Sequence, residues 1–197
     1  MSENSLAIFE NKNGLQIKNT KIMKFKNGLL ENITPVVLID VSGSMAIQDC
    51  KNNEARINVV NRIVTKMPGL PRFSFANEVH EILFSQELIA YGHTDLRKAL
   101  LAVSQKKYAK VILISDGLPD DSNSALHEAL IMCIQFDTIY IGTDLNGKQF
   151  MQELSRKTGG IFSCAETSDI DFQAKIESNI ARFLLEDKTK QDSGTKP

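Results

Sequence analysis

Two runs in this chain are apolar at every position instead of every second one: Val36-Val37-Leu38-Ile39 and Val111-Ile112-Leu113-Ile114. Strands covered on both faces have this pattern, as the central strands of a parallel sheet do. Each run stops abruptly in polar residues, Asp40-Val41-Ser42-Gly43-Ser44 after the first and Ser115-Asp116-Gly117 after the second. Between the runs the period changes. Ile57, Val60, Val64 and Met67 recur at helical spacing and are stopped by Pro68-Gly69. Arg72 to Phe75 and Val79 to Phe84 alternate apolar with polar, and only Ala76-Asn77-Glu78 separates them. That is too short for a crossover, so the pair is predicted antiparallel, with the second strand at the sheet edge.

Further helices are predicted over Thr94 to Val103, over Ala125 to Cys133 with Ser122 or Ser124 as cap, and over Gln149 to Lys157 with Phe150 and Leu154 inward. Phe136 to Ile141 and Gly160 to Ser163 read as strands. A last helix begins at Ser168, with Asp171 placed for a capping box and Phe172, Ile176, Ile180 and Phe183 as its buried stripe. This alternation predicts an α/β fold: a doubly wound, mostly parallel sheet with one antiparallel edge strand and helices on both faces. The ligand crevice of such a sheet lies at the carboxyl ends of its strands.

Three segments follow from this pattern. Residues 34–186 form the α/β domain. Residues 1–33 hold Asn13-Gly14 and Asn27-Gly28 beside short apolar runs, which favours hairpins: a β ribbon at a sheet edge or across the helices, with a loosely ordered leader as the alternative. Residues 187–197 have no apolar side chain and are expected to be disordered.

Composition narrows the class of protein. With 42% hydrophobic and 24% charged residues among 197, the chain falls among globular proteins. A net charge of −1 without a basic block gives nucleic acid no electrostatic footing. Cys50, Cys133 and Cys164 are odd in number, with no CxxC pair to suggest zinc, and are expected as buried thiols in a reducing compartment. Neither a cationic leader nor an apolar span opens the chain, so the expectation is a cytoplasmic protein with no signal peptide or membrane anchor.

The candidate chemistry lies where the first apolar run ends. Asp40, Ser42 and Ser44 offer hard oxygens, which suit Mg²⁺, Mn²⁺ or Ca²⁺ better than zinc or copper. Asp40-Val41-Ser42-Gly43-Ser44-Met45 resembles the D-x-S-G-S-M signature of von Willebrand factor type A domains, with Thr94 in Gly92-His93-Thr94-Asp95-Leu96 and Asp116 in Ser115-Asp116-Gly117 matching its two downstream positions. The resemblance covers roughly residues 34 to 186. It implies a metal-ion-dependent adhesion site: Ser42, Ser44 and Thr94 as direct or near-direct ligands, with Asp40 and Asp116 acting mainly through water. Neutral hydroxyl ligands leave the ion's charge poorly compensated, so it seeks an Asp or Glu from a partner protein. The site is suited to binding rather than catalysis. Among intracellular relatives the compact domain resembles the TerY-like proteins of tellurium-resistance and stress-response operons, whose neighbours include kinases and phosphatases.

Nearby residues carry plainer expectations. His93 reads as a solvated loop residue, His80 and His127 as structural, Asp120 and Asp121 as a solvated turn, and Asp95 as a first-turn carboxylate that favours the helix dipole. The main enzyme alternative is a haloacid-dehalogenase-like phosphatase using Asp40, but its general acid two residues on is replaced by Ser42. A serine-hydrolase elbow needs glycine where Asp40 stands. An EF-hand loop starting at Asp40 fails at Met45 and Lys51. A third reading makes the site a brace with no partner.

Overall fold

The computed structural model describes residues 35–64, 70–83, 86–106, 108 and 110–164, the backbone of strands at 7–11, 14–18, 22–24 and 30–32, and residues 174 and 178. The expected last helix and the polar tail lie outside the described residues. Four short strands come first: β1 (Ala7–Asn11), β2 (Gly14–Lys18), β3 (Ile22–Lys24) and β4 (Leu30–Asn32). β1 pairs antiparallel with β2, and β3 with β4. Each pair is a two-stranded sheet of its own, so among the described residues the ribbons are not added to the edge of the main sheet.

The domain proper runs β5 (Val36–Asp40), α1 (Arg56–Val64), β6 (Arg72–Phe75), β7 (Val79–Glu81), α2 (Leu96–Gln105), β8 (Lys110–Ser115), α3 (Ser122–Ile131), β9 (Gln135–Tyr140), α4 (Leu145–Thr158) and β10 (Phe162–Cys164). Its sheet has the order β10-β9-β8-β5-β6-β7. Five strands are parallel, and β7 alone runs antiparallel, at the edge beside β6. This is the doubly wound α/β arrangement expected from the hydrophobic pattern.

Burial follows the strand period. Val37 and Ile39 of β5, with Ile112 and Ile114 of β8, pack on the face that α1 covers through Ile57, Val60 and Ile63. Val36 and Leu38, with Val111 and Leu113, face Leu96 and Leu100 of α2, Ala125 and Ala129 of α3, and Met151 and Leu154 of α4. Each large side chain taken fully out of water contributes roughly 1.5–3 kcal/mol. The two central strands are therefore the best-anchored part of the sheet.

The caps differ from expectation. Asp121, not a serine, caps α3 by accepting from the Ser124 amide at 2.9 Å, and α3 ends before Cys133, whose φ is +54°. Asp144 caps α4 a turn earlier than the apolar pattern begins. Asp95 is the N-cap of α2 and accepts from the Lys98 amide, so its role is a hydrogen bond as well as a charge at the dipole. Cys133 is exposed, and Cys50 and Cys164 are half-buried, so burial of all three thiols does not hold. No helix among the described residues is long and apolar enough to cross a membrane.

Candidate functional site

From β5 the chain moves outward through β6 to β7, and from β8 it moves the other way through β9 to β10. The strand order reverses between β5 and β8, and crevices in open α/β sheets form at the carboxyl side of such a switch. Asp40 is the last residue of β5, and Ser115 the last of β8.

Asp40 is fully buried. Its Oδ1 accepts from the Ser42 amide at 2.8 Å, which turns the chain sharply out of the strand, and its Oδ2 accepts from the Ser115 hydroxyl at 2.6 Å. The Ser115 Oγ in turn accepts from the Gly117 amide at 2.8 Å. Burial, and next the nearby Asp116 charge, raise the Asp40 pKa to about 6. The Ser42 and Ser44 hydroxyls lie 3.1 Å apart, in hydrogen-bond contact, at the start of a short 3₁₀ turn, Gly43–Ala46. Met45 of that turn is buried beneath them and anchors it.

Asp116 follows β8 and is 3% exposed. Its Oδ2 accepts from Arg56 Nη1 at 2.7 Å, while its Oδ1 is buried without a hydrogen-bond partner. A buried carboxylate oxygen in that state is costly unless something fills the gap. The turn that carries Asp116 packs backbone to backbone on α4. A Cβ on Gly117 would lie 2.2 Å from the Gly147 carbonyl oxygen, and one on Gly147 would lie 2.2 Å from the Asp116 carbonyl oxygen. Gly117 also has φ +86°, so both positions require glycine.

Thr94 is 6% exposed and reaches the same rim through backbone bonds. The Gly43 amide donates to the Gly92 carbonyl at 3.0 Å, and the Asp120 amide to the Thr94 carbonyl at 3.0 Å. Thus Ser42 and Ser44 touch, Asp40 binds the Ser42 amide, Asp116 connects to Ser44 through Arg56, and Thr94 enters on the loop beside Gly43. Among the described residues no three His, Cys, Asp or Glu side chains stand together as a metal-ligating group. A cation here has to draw on hydroxyl oxygens as well as carboxylates, which suits hard divalent ions.

Three participants are not evident from the sequence pattern. Ser115 ties Asp40 to β8. Arg56, 4% exposed, donates to Asp116, and its Nε and Nη2 donate to the two oxygens of Asp49 at 2.8 and 2.5 Å. Hydrogen bonding to Asp49 pushes the Arg56 pKa above its ordinary value and holds the Asp49 carboxyl below its own. The available signal was register: Arg56 stands four residues before Val60 and eight before Val64, on the helix's apolar stripe. Asp49 sits in a loop with no pattern to mark it.

His93 is exposed, with its amide donating to Asn77 Oδ1, and His80 lies half-exposed beside Glu78. Asp120 Oδ1 accepts from the Thr94 amide at a long 3.4 Å, and Asp121 is used as a cap.

No family model matches the chain, and no curated protein sequence matches it. Solved structures do share its architecture. A single-residue mutant of the PilB minor pilin from Streptococcus sanguinis is 12% identical, with a TM-score of 0.56 over 76% of this chain and 62% of the pilin. The PilB minor pilin itself is 11% identical, with a TM-score of 0.52 over 83% and 64%. The human COPII-coat protein Sec24c is 10% identical, with a TM-score of 0.52 over 80% of this chain and 33% of that one. The chain thus spans under two thirds of the pilin and a third of Sec24c. At such identities the likeness is one of fold.

Proposed function

We propose that the chain is a von Willebrand factor type A-like module. Asp40, Ser42, Ser44, Thr94 and Asp116 would hold Mg²⁺, with Mn²⁺ or Ca²⁺ as substitutes, and the ion would take an acidic side chain of a partner protein. The observation that carries this reading is the buried, unpartnered Oδ1 of Asp116 at the switch point of the sheet, next to a second buried carboxylate and two touching hydroxyls. A divalent ion supplies the positive charge that such a group lacks, and sparse protein ligation leaves it open to one more carboxylate.

Large apolar side chains exposed around the same rim favour a protein as the partner. Ile47 follows the Ser42–Ser44 turn, Tyr91 precedes Gly92, Leu118 follows Gly117, and Leu145 opens α4. Exposed apolar groups gathered about a polar centre suit a macromolecular interface better than a small anion. The resemblance points to a cytoplasmic, bacterial stress-response or signalling setting, with an operon-encoded kinase or phosphatase as a fitting partner. A phosphatase using Asp40 as nucleophile has against it that Asp40 is fully buried with both oxygens engaged.

Affinity capture in Mg²⁺ against EDTA tests the reading, together with Mn²⁺ calorimetry on Asp40→Ala and Thr94→Ala. Both variants are expected to lose the cation and the partner while keeping the fold. Unchanged Mn²⁺ affinity in Asp40→Ala would sink the site. Recovery of the same proteins with and without EDTA would leave only a structural brace.

A further inference from the structure

Arg56 opens α1 yet faces the end of β8, sixty residues away. Nη1 donates to Asp116 Oδ2 at 2.7 Å and, at 3.4 Å, to the Ser44 carbonyl. The opposite edge of the guanidinium is gripped by both oxygens of Asp49, whose Oδ2 also accepts from the Thr143 hydroxyl at 2.9 Å. A chain of contacts, Thr143 to Asp49 to Arg56 to Asp116, therefore joins the loop after β9, the loop before α1, and the end of β8. A two-point grip fixes the plane of a guanidinium, where one bond would leave it free to swivel. Gly142 closes the remaining side, since a Cβ there would lie 3.0 Å from Arg56 Cζ.

We propose that Arg56 is a positioning residue of the cation site: pinned by Asp49, it holds Asp116 through one oxygen and so fixes where the unpartnered oxygen is offered. The inference rests on the cation-binding reading above. Charge alone points the other way, because a permanent positive charge beside a divalent ion repels it. If Arg56 acted only through its field, a neutral replacement would tighten cation binding. As the group that aims Asp116, its loss weakens binding. Groups that orient metal-ligating side chains are typically worth about 10- to 100-fold in metal affinity.

Two charge-conserving substitutions isolate the geometry. Arg56→Lys keeps the positive charge and loses the planar fork. Asp49→Glu keeps the negative charge but displaces the carboxylate that grips the fork, at a side chain that is 18% exposed and not in the core. Calorimetric titration of the full chain with Mn²⁺, with folding checked by circular dichroism, should show binding about 10- to 100-fold weaker in Arg56→Lys and toward the lower end of that range in Asp49→Glu. A merely structural arginine would lower the melting temperature without moving the Mn²⁺ affinity of the folded protein. Should Arg56→Lys fail to fold, Asp49→Glu decides the matter. A wild type that binds Mn²⁺ alongside an Asp49→Glu that binds it as tightly overturns the role given to Arg56. A wild type that binds no Mn²⁺ overturns the cation reading first.

Discussion

The two ends of the sheet place buried charge in opposite ways. At the amino end, Arg72 and Lys110 open β6 and β8, and Arg72 donates to the Val64 carbonyl at 2.6 Å. Burial lowers the Arg72 pKa, because a low-polarity surrounding disfavours the charged form. At the carboxyl end the balance reverses: Asp116 and Asp49 both hold one guanidinium, Asp40 lies buried close to Asp116, and the Arg56 pKa rises. Even so, Asp116 Oδ1 is left without a hydrogen-bond donor. At the amino end a buried guanidinium meets a backbone carbonyl. The other end is short of positive charge in a way that a bound cation would correct.

Replacing each buried arginine by methionine sharpens this contrast most. Arg56→Met strands the buried Asp116 carboxylate, and breaking a buried pair in this way costs about 3–5 kcal/mol. Arg72→Met leaves an orphaned carbonyl, worth about 1–3 kcal/mol. Urea unfolding in metal-free buffer measures both, and equal losses would erase the distinction between the two ends.

Asp40→Asn acts on pH dependence. With the folded pKa near 6 against an unfolded value of 3.8, the native state binds the proton more tightly than the unfolded chain. This contribution is fully present below about pH 4 and is lost as pH rises through about 6, a fall of about 3 kcal/mol. The asparagine variant should show no such fall and, in metal-free buffer at neutral pH, should be the more stable protein. An identical pH profile would mean that Asp40 is not the strained carboxylate of the site.

The smallest expected effect comes from the apolar rim. Leu118→Ser and Ile47→Ser should alter stability by no more than about 0.5 kcal/mol, as exposed substitutions do, and leave Mn²⁺ affinity unchanged while weakening capture of the partner. Full retention of the partner by both would place the interface elsewhere.

Residues differ in how far the sequence betrays them. The antiparallel edge was legible because three residues between Phe75 and Val79 cannot make a crossover. Asp40, Ser42, Ser44 and Asp116 are marked by the apolar runs that end just before them, whereas Thr94 is marked only by the resemblance to type A domains. Asp121 is masked as a cap by the two serines that follow it, which suit the same role, and Asp144 because the apolar stripe of α4 begins a turn after the helix does. Arg56 was hidden because a charged residue at a helix start ordinarily faces water.

By itself, then, the amino-acid order determined which strands lie at the centre and where polar chemistry begins, since burial on both faces demands an unbroken apolar run and shows directly in composition. Only the tertiary structure decided which groups meet. Arg56 and Asp116 are sixty positions apart, and whether a buried oxygen finds a donor depends on the packing of α1 against the end of β8. No local pattern encodes that contact, because hydrogen-bond satisfaction is settled between elements rather than within them.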